Sequence, residues 1–193
     1  MTQINLVRHY LNPLILVNSP ISLIVNLVGA DRPGLVNRLS HAITESGGNW
    51  ESSRMVRLAG QFAGMVHVVI REEDVAALEN RMETLRTDDG VQITLVKTGF
   101  EESPEAAATP FRLEVVGQDR PGIVSTISHT LATAGANVIE LATDCTNAPW
   151  SGERLFKASA TVMPPENVSA DDLKNQIEAI ATDLMVEIED VAD

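Results

Sequence analysis

Apolar positions change period along the chain at regular intervals. Residues 21–28 (Ile-Ser-Leu-Ile-Val-Asn-Leu-Val) form a β-rich run, and 111–116 form another. After each run the spacing lengthens: Leu35, Val36, Leu39, Ala42 and Ile43 share one stripe at helical spacing, as do Ile123, Val124, Ile127 and Leu131. Gly47-Gly48 and Gly135 suit the C-terminal ends of those helices. Strands are predicted over 49–58 and 137–146. The period then drops to two, with Phe62, Gly64, Val66, Val68 and Ile70 in the first half and Phe156, Ala158, Ala160 and Val162 in the second. Second helices are predicted over 74–87 and 170–183, the latter opened by Ser169 with Asp172 three residues on. Closing strands over 91–97 and 184–191 complete the order β-α-β-β-α-β twice. Each helix has a single apolar stripe, so both helices of a unit must cover one face of an antiparallel sheet. The fold class is α+β, two tandem ferredoxin-like βαββαβ domains.

The two halves are copies. Val28-Gly-Ala-Asp-Arg-Pro-Gly-Leu-Val36 returns as Val116-Gly-Gln-Asp-Arg-Pro-Gly-Ile-Val124, an offset of 88 residues (119 against 31). The same offset carries Ser40-His41 onto Ser128-His129, Gly47 onto Gly135 and Asn49 onto Asn137. The expected organisation is an N-terminal extension 1–20, domain 1 over 21–99, a linker 100–110 and domain 2 over 111–193. The linker is acidic, Ala-rich and bounded by prolines. Leu14-Ile-Leu-Val17 in the extension suits an added edge strand, a segment docked on a neighbouring molecule, or a disordered arm.

Charge narrows the classes of partner. Lys and Arg number 14 against 27 Asp and Glu, a net charge of −13, and no basic run exists. Replacing counterions on phosphates needs clustered cations, so direct nucleic-acid binding is not expected. The stretch 10–30 is apolar, yet Pro13, Pro20 and several Asn and Ser side chains disfavour a membrane span. It reads as part of the fold, in a cytoplasmic protein. The single cysteine, Cys145, excludes an intramolecular disulfide and reads as a buried small apolar residue with no basic neighbour to activate it.

The Gly-x-Asp-Arg-Pro-Gly-(Leu/Ile)-Val turn, the amphipathic helix after it and the Gly-x-Asn before the second strand resemble the ACT domain family. The resemblance covers nearly the whole chain outside residues 1–20 and the linker. It implies a small amino acid held at an interface between such units, beside the first strand–helix turn. A short stand-alone pair is most similar to members that regulate transcription in response to glycine, by contacting a DNA-binding activator rather than DNA. A homodimer is expected on the same ground, with no cofactor and no metal.

The residues at the turn give that expectation a physical form. Backbone N–H groups at Gly34-Leu35 and Gly122-Ile123 begin a helix, whose positive end favours a carboxylate. Asp31 or Asp119 supplies an acceptor for a ligand ammonium, and Asn49 and Asn137, at the head of the next strand, supply an amide. The turn has an equally direct structural role, because Asp, Pro and Gly together suffice to start a helix. His41 and His129 lie about 200° round the helix from the apolar stripe and so face solvent. Trp150, in the longer loop 147–153, either anchors a partner or folds over its own sheet.

No phosphate-cradling Gly-rich loop, Gly-x-Ser-x-Gly elbow, His-Glu-x-x-His helix or dinucleotide fingerprint is present, and no enzyme is expected. The alternatives are a trans-acting regulatory subunit of an amino-acid metabolic enzyme, or a dimerisation module without a ligand.

Overall fold

A computed structural model describes residues 19–99, 109–148, 152–180 and 184–190. Expectations for most of the extension and linker, for Trp150 and for residues 181–183 and 191 lie outside the described residues. The chain divides into two compact units, within 1–102 and 103–193.

Unit 1 comprises β1 (Pro20–Ala30), α1 (Leu35–Glu45), β2 (Asn49–Leu58), β3 (Gln61–Arg71), α2 (Val75–Asp89) and β4 (Gln92–Thr98). Its sheet is antiparallel in the order β2-β3-β1-β4. Alternation along β1 and β3 sends Leu23, Val25, Leu27, Val66, Val68 and Ile70 to one face. There they meet Leu35, Leu39 and Ile43 of α1 and Leu78, Met82 and Leu85 of α2 in a single core.

Unit 2 repeats the plan with β5 (Phe111–Gln118), α3 (Ile123–Thr133), β6 (Asn137–Asn147), β7 (Arg154–Met163), α4 (Ala170–Ile180) and β8 (Leu184–Asp190), in the order β6-β7-β5-β8. It has its own core, centred on Leu113, Ile127, Val162, Leu173 and Ile177. Even an irregularity is duplicated: the edge strand of each unit bulges, at Glu51 and at Ile139.

Element ends differ from expectation for local reasons. β1 runs on to Ala30 because β3 continues opposite it to Gln61. α2 runs to Asp89 because Gly90, at φ +64°, is the first residue able to turn left-handed and return its N–H to Arg86 O.

α4 opens with the expected cap. Asp172 N–H donates to Ser169 Oγ at 3.2 Å, while Ser169 Oγ donates to Asp172 Oδ2 at 2.6 Å. Chiefly through that hydroxyl, and then through the Ser169 N–H, the Asp172 carboxyl is held below its ordinary value. A lowered carboxyl pKa contributes stability above the ordinary carboxylate range, and that stability is lost as pH falls through the lowered value. Ser169→Ala is therefore expected to move the Asp172 carboxyl up toward the ordinary range, the Ser169 N–H being kept, and to fray the first turn of α4. An NMR titration of that carboxyl checks it; an unchanged curve would contradict the assignment.

Candidate functional site

Both units end the β1–β3 type ladder in the same way. Asp31 N–H donates to Gly60 O at 3.1 Å, and Asp119 N–H donates to Arg154 O at 2.9 Å. The chain then turns into the helix through Gly34 or Gly122, each at φ +87°. That angle is strained for any L side chain, and an added Cβ would meet nothing within 4 Å. Backbone conformation demands glycine there, and the space above it is open.

No side chain caps α1 or α3. Leu35 N–H leans back to Arg32 O at 3.5 Å, and the helical ladder begins with Arg38 N–H on Gly34 O and Thr126 N–H on Gly122 O. The intervening first-turn N–H groups form the positive end of each helix. In unit 1 they border a surface cleft of about 270 Å³ lined by Asp31, Arg32, Gly34, Leu35, Val36 and Asn37, with Phe62 behind. Leu35 and Ile123 send their side chains into the cores, so they offer the cleft only backbone.

Each turn also holds an arginine that the sequence did not reveal. Arg57 Nε lies 2.8 Å from Asp31 Oδ2, and Arg154 Nε lies 3.1 Å from Asp119 Oδ2. The two arginines come from different strands. Arg57 is on β2, opposite Phe62, and the matching position of unit 2, opposite Phe156, is Cys145. Unit 2 takes its guanidinium instead from the first residue of β7, where unit 1 has Gly60. An Asp–Arg pair is thus built twice by two routes.

Cys145 is exposed rather than buried, and it is not without a basic neighbour. Hydrogen bonds to Cys145 first and to Asp119 second hold the Arg154 guanidinium above its ordinary pKa. The sequence separation of the two residues hid a contact that the β6–β7 hairpin makes.

Asn49 and Asn137 do not join the turns. Asn49 pairs with Val69, eight residues along β3 from Gln61, where the β1 ladder ends, so it lies about 27 Å from Asp31. Asn137 pairs with Met163, at the far end of β7 from Arg154. Asn49 Nδ2 is engaged by Glu51 Oε1 at 2.6 Å. The crossover explains the separation within each unit: α1 and α3 carry the chain back along the sheet, so only the C-terminal ends of β2 and β6 approach the turns.

The histidines assemble no catalytic group. His41 and His129 are exposed, and His67 Nε2 lies 2.6 Å from Ser22 Oγ on the sheet face away from the helices. Among the described residues no group of three His, Cys, Asp or Glu could hold a metal ion, and no helix is long and apolar enough to cross a membrane.

Residues 22–96 match the model of the ACT domain. The first unit matches the ACT domain, and the second repeats its strand order and its turn sequence. It is similar over most of its length to the glycine cleavage system transcriptional repressors of Escherichia coli (strain K12) and Shigella flexneri. Each is 21% identical over 162 residues, which is 84% of this chain and 85% of the relative. Among solved structures, a protein of unknown function from Galdieria sulphuraria superposes with a TM-score of 0.74 at 29% identity, covering 90% of this chain and 100% of that one. A candidate glycine cleavage system transcriptional repressor gives 0.69 at 16% identity, over 90% and 99%, a likeness of fold.

Proposed function

We propose that this tandem ACT protein is an amino-acid-responsive regulator, with glycine the favoured effector. On this reading it works in the cytoplasm by contact with a DNA-binding regulator, neither binding DNA itself nor catalysing a reaction. The observation that carries the reading is the doubled turn. An uncapped helix start, a glycine open to solvent and an Asp–Arg pair recur in both units, although the arginine had to come from another strand.

The site residues follow from this. The first-turn N–H groups beyond Gly34-Leu35 and Gly122-Ile123, with Arg57 or Arg154 beside them, receive the ligand carboxylate. Asp31 and Asp119 are already neutralised by those arginines, so they position the guanidinium and take the ligand ammonium as a second partner. The net charge of −13 supports a protein partner over nucleic acid. The names of the sequence relatives support transcriptional repression as the output.

Thermal unfolding of the purified protein against each of the twenty amino acids tests the proposal. A ligand that binds only the folded state stabilises it by about 2.7 kcal/mol at a hundredfold excess over Kd. For a domain of this size that raises the midpoint by roughly 10 °C or more. A selective rise with glycine or another small amino acid is expected. No shift with any of them would remove the sensor and leave an interaction module.

A further inference from the structure

The sheet faces turned away from the helices are equivalent by position and opposite in character. In unit 1 that face exposes Val28, Val56, Leu58, Met65 and Val96, each between 46% and 70% accessible. Strand register makes them neighbours. Val28 and Val56 flank Ala63 across three strands, and Ile24 lies between His67 and Val96. Arg54, opposite Met65 on the edge strand, is the one charged side chain set among them by the register.

Unit 2 carries charge at the same positions. The 88-residue offset and the matching registers put Arg112 where unit 1 has Ile24, and Glu114 where it has Asn26. Lys157 stands for Ala63, Asp144 for Val56, Glu187 for Thr94 and Glu189 for Val96. One copied sheet face has been kept polar, as a solvated face is, and the centre of the other has been cleared of carboxylates, leaving Glu51 at its edge beside Asn49.

We infer that the open sheet face of unit 1 is where a second copy of this chain docks, the two faces packing against each other about a twofold axis. The charge distribution chooses the occupant. Two chains of net charge −13 repel wherever their acidic surfaces meet, so self-association requires a contact region free of carboxylates. A basic partner would be drawn by carboxylates at the centre of this face, where the charged side chain is Arg54. An isologous contact also needs a patch that complements itself, as a largely apolar one does.

The area sets the strength. Four strands about 4.8 Å apart and roughly seven residues long give a face of about 450 Å², so two copies bury on the order of 1,000 Å². That is the lower edge of specific interfaces, and the dimer should dissociate in the micromolar range.

Sedimentation equilibrium of the full chain, over about 1 to 300 µM, tests the inference. A monomer–dimer equilibrium is expected, tightening as salt screens the mutual repulsion. Met65→Glu and Val96→Lys each put a charge into the apolar face of both copies, and it must be desolvated for the faces to meet. Each should weaken association at least a hundredfold without moving the melting midpoint of the monomer, since both side chains are exposed. Ser159→Glu, at the unit 2 position equivalent to Met65, should leave association unchanged. A monomer at every concentration would overturn the inference. So would a dimer that survives both unit 1 variants, or one that Ser159→Glu dissociates equally.

Discussion

The double variant Arg57→Ala/Arg154→Ala is expected to lose most of the stabilisation conferred by a bound amino acid while melting, without ligand, where the parent does. The two halves of that outcome have different physical sources. Both guanidiniums are largely exposed, at 70% and 65%, and exposed ion pairs contribute only about 0–1 kcal/mol to stability. The unliganded fold should therefore hardly register their removal. A hydrogen bond from a cation to a ligand carboxylate is worth about 1.5–3 kcal/mol, so losing it weakens binding roughly ten- to a hundredfold. Titration calorimetry with the amino acid selected by the melting screen reads the second half, and calorimetry of the free protein reads the first.

The single variants separate the two turns. If one turn is occupied, either Arg57→Ala or Arg154→Ala reproduces the whole loss; if both are, each removes one class of site. Asp31→Ala and Asp119→Ala should also weaken binding with little change in the free protein, by releasing the guanidinium from its place. A fall in the unliganded midpoint as large as the loss of binding would mean that the Asp–Arg pair holds the turn together. The turn would then be scaffolding.

What could be read from the sequence follows the range of the interactions involved. The strands and helices were legible because their signals are local periods, and duplication showed each period twice: Leu35, Leu39 and Ile43 announce α1, and Ile123, Ile127 and Leu131 announce α3. Gly34 and Gly122 were legible as turn residues because only glycine rests easily at their φ.

The arginines were not legible. Each pair joins residues at least 26 positions apart across a strand–strand contact, and the 88-residue offset aligns Arg57 with Cys145 rather than with Arg154. A search for repeats therefore finds the Asp and misses its partner. Asn49 and Asn137 show the converse. They repeat perfectly and sit close to the turn motif in sequence, but the intervening helix delivers them to the other end of the sheet. The apolar centre of the unit 1 face was present in the alternation all along. It gains meaning only when the registers of four strands assemble Ile24, Val28, Val56, Met65 and Val96 into one surface.

Two copies of one fold that differ in their open faces raise the question of whether they also unfold separately, and two core variants answer it. Leu78 in α2 and Leu173 in α4 are both fully buried, each within the core of its own unit. Truncating either to alanine removes buried apolar surface and leaves a cavity, at a cost of about 2.7–5 kcal/mol. Set against the roughly 5–15 kcal/mol that holds a domain folded, that is a large fraction of one unit's stability.

Because no residue is shared between the two cores, the loss should stay where it is made. Leu78→Ala is expected to lower one component of the calorimetric unfolding curve by on the order of 10 °C or more, and Leu173→Ala the other. The effector screen then gains a location. An amino acid that binds the β1–α1 turn should restore the transition lowered by Leu78→Ala, and one that binds the β5–α3 turn should restore that lowered by Leu173→Ala. If each variant shifts a single common transition by the same amount, the units fold as one cooperative body, and ligand held at either turn stabilises the whole chain.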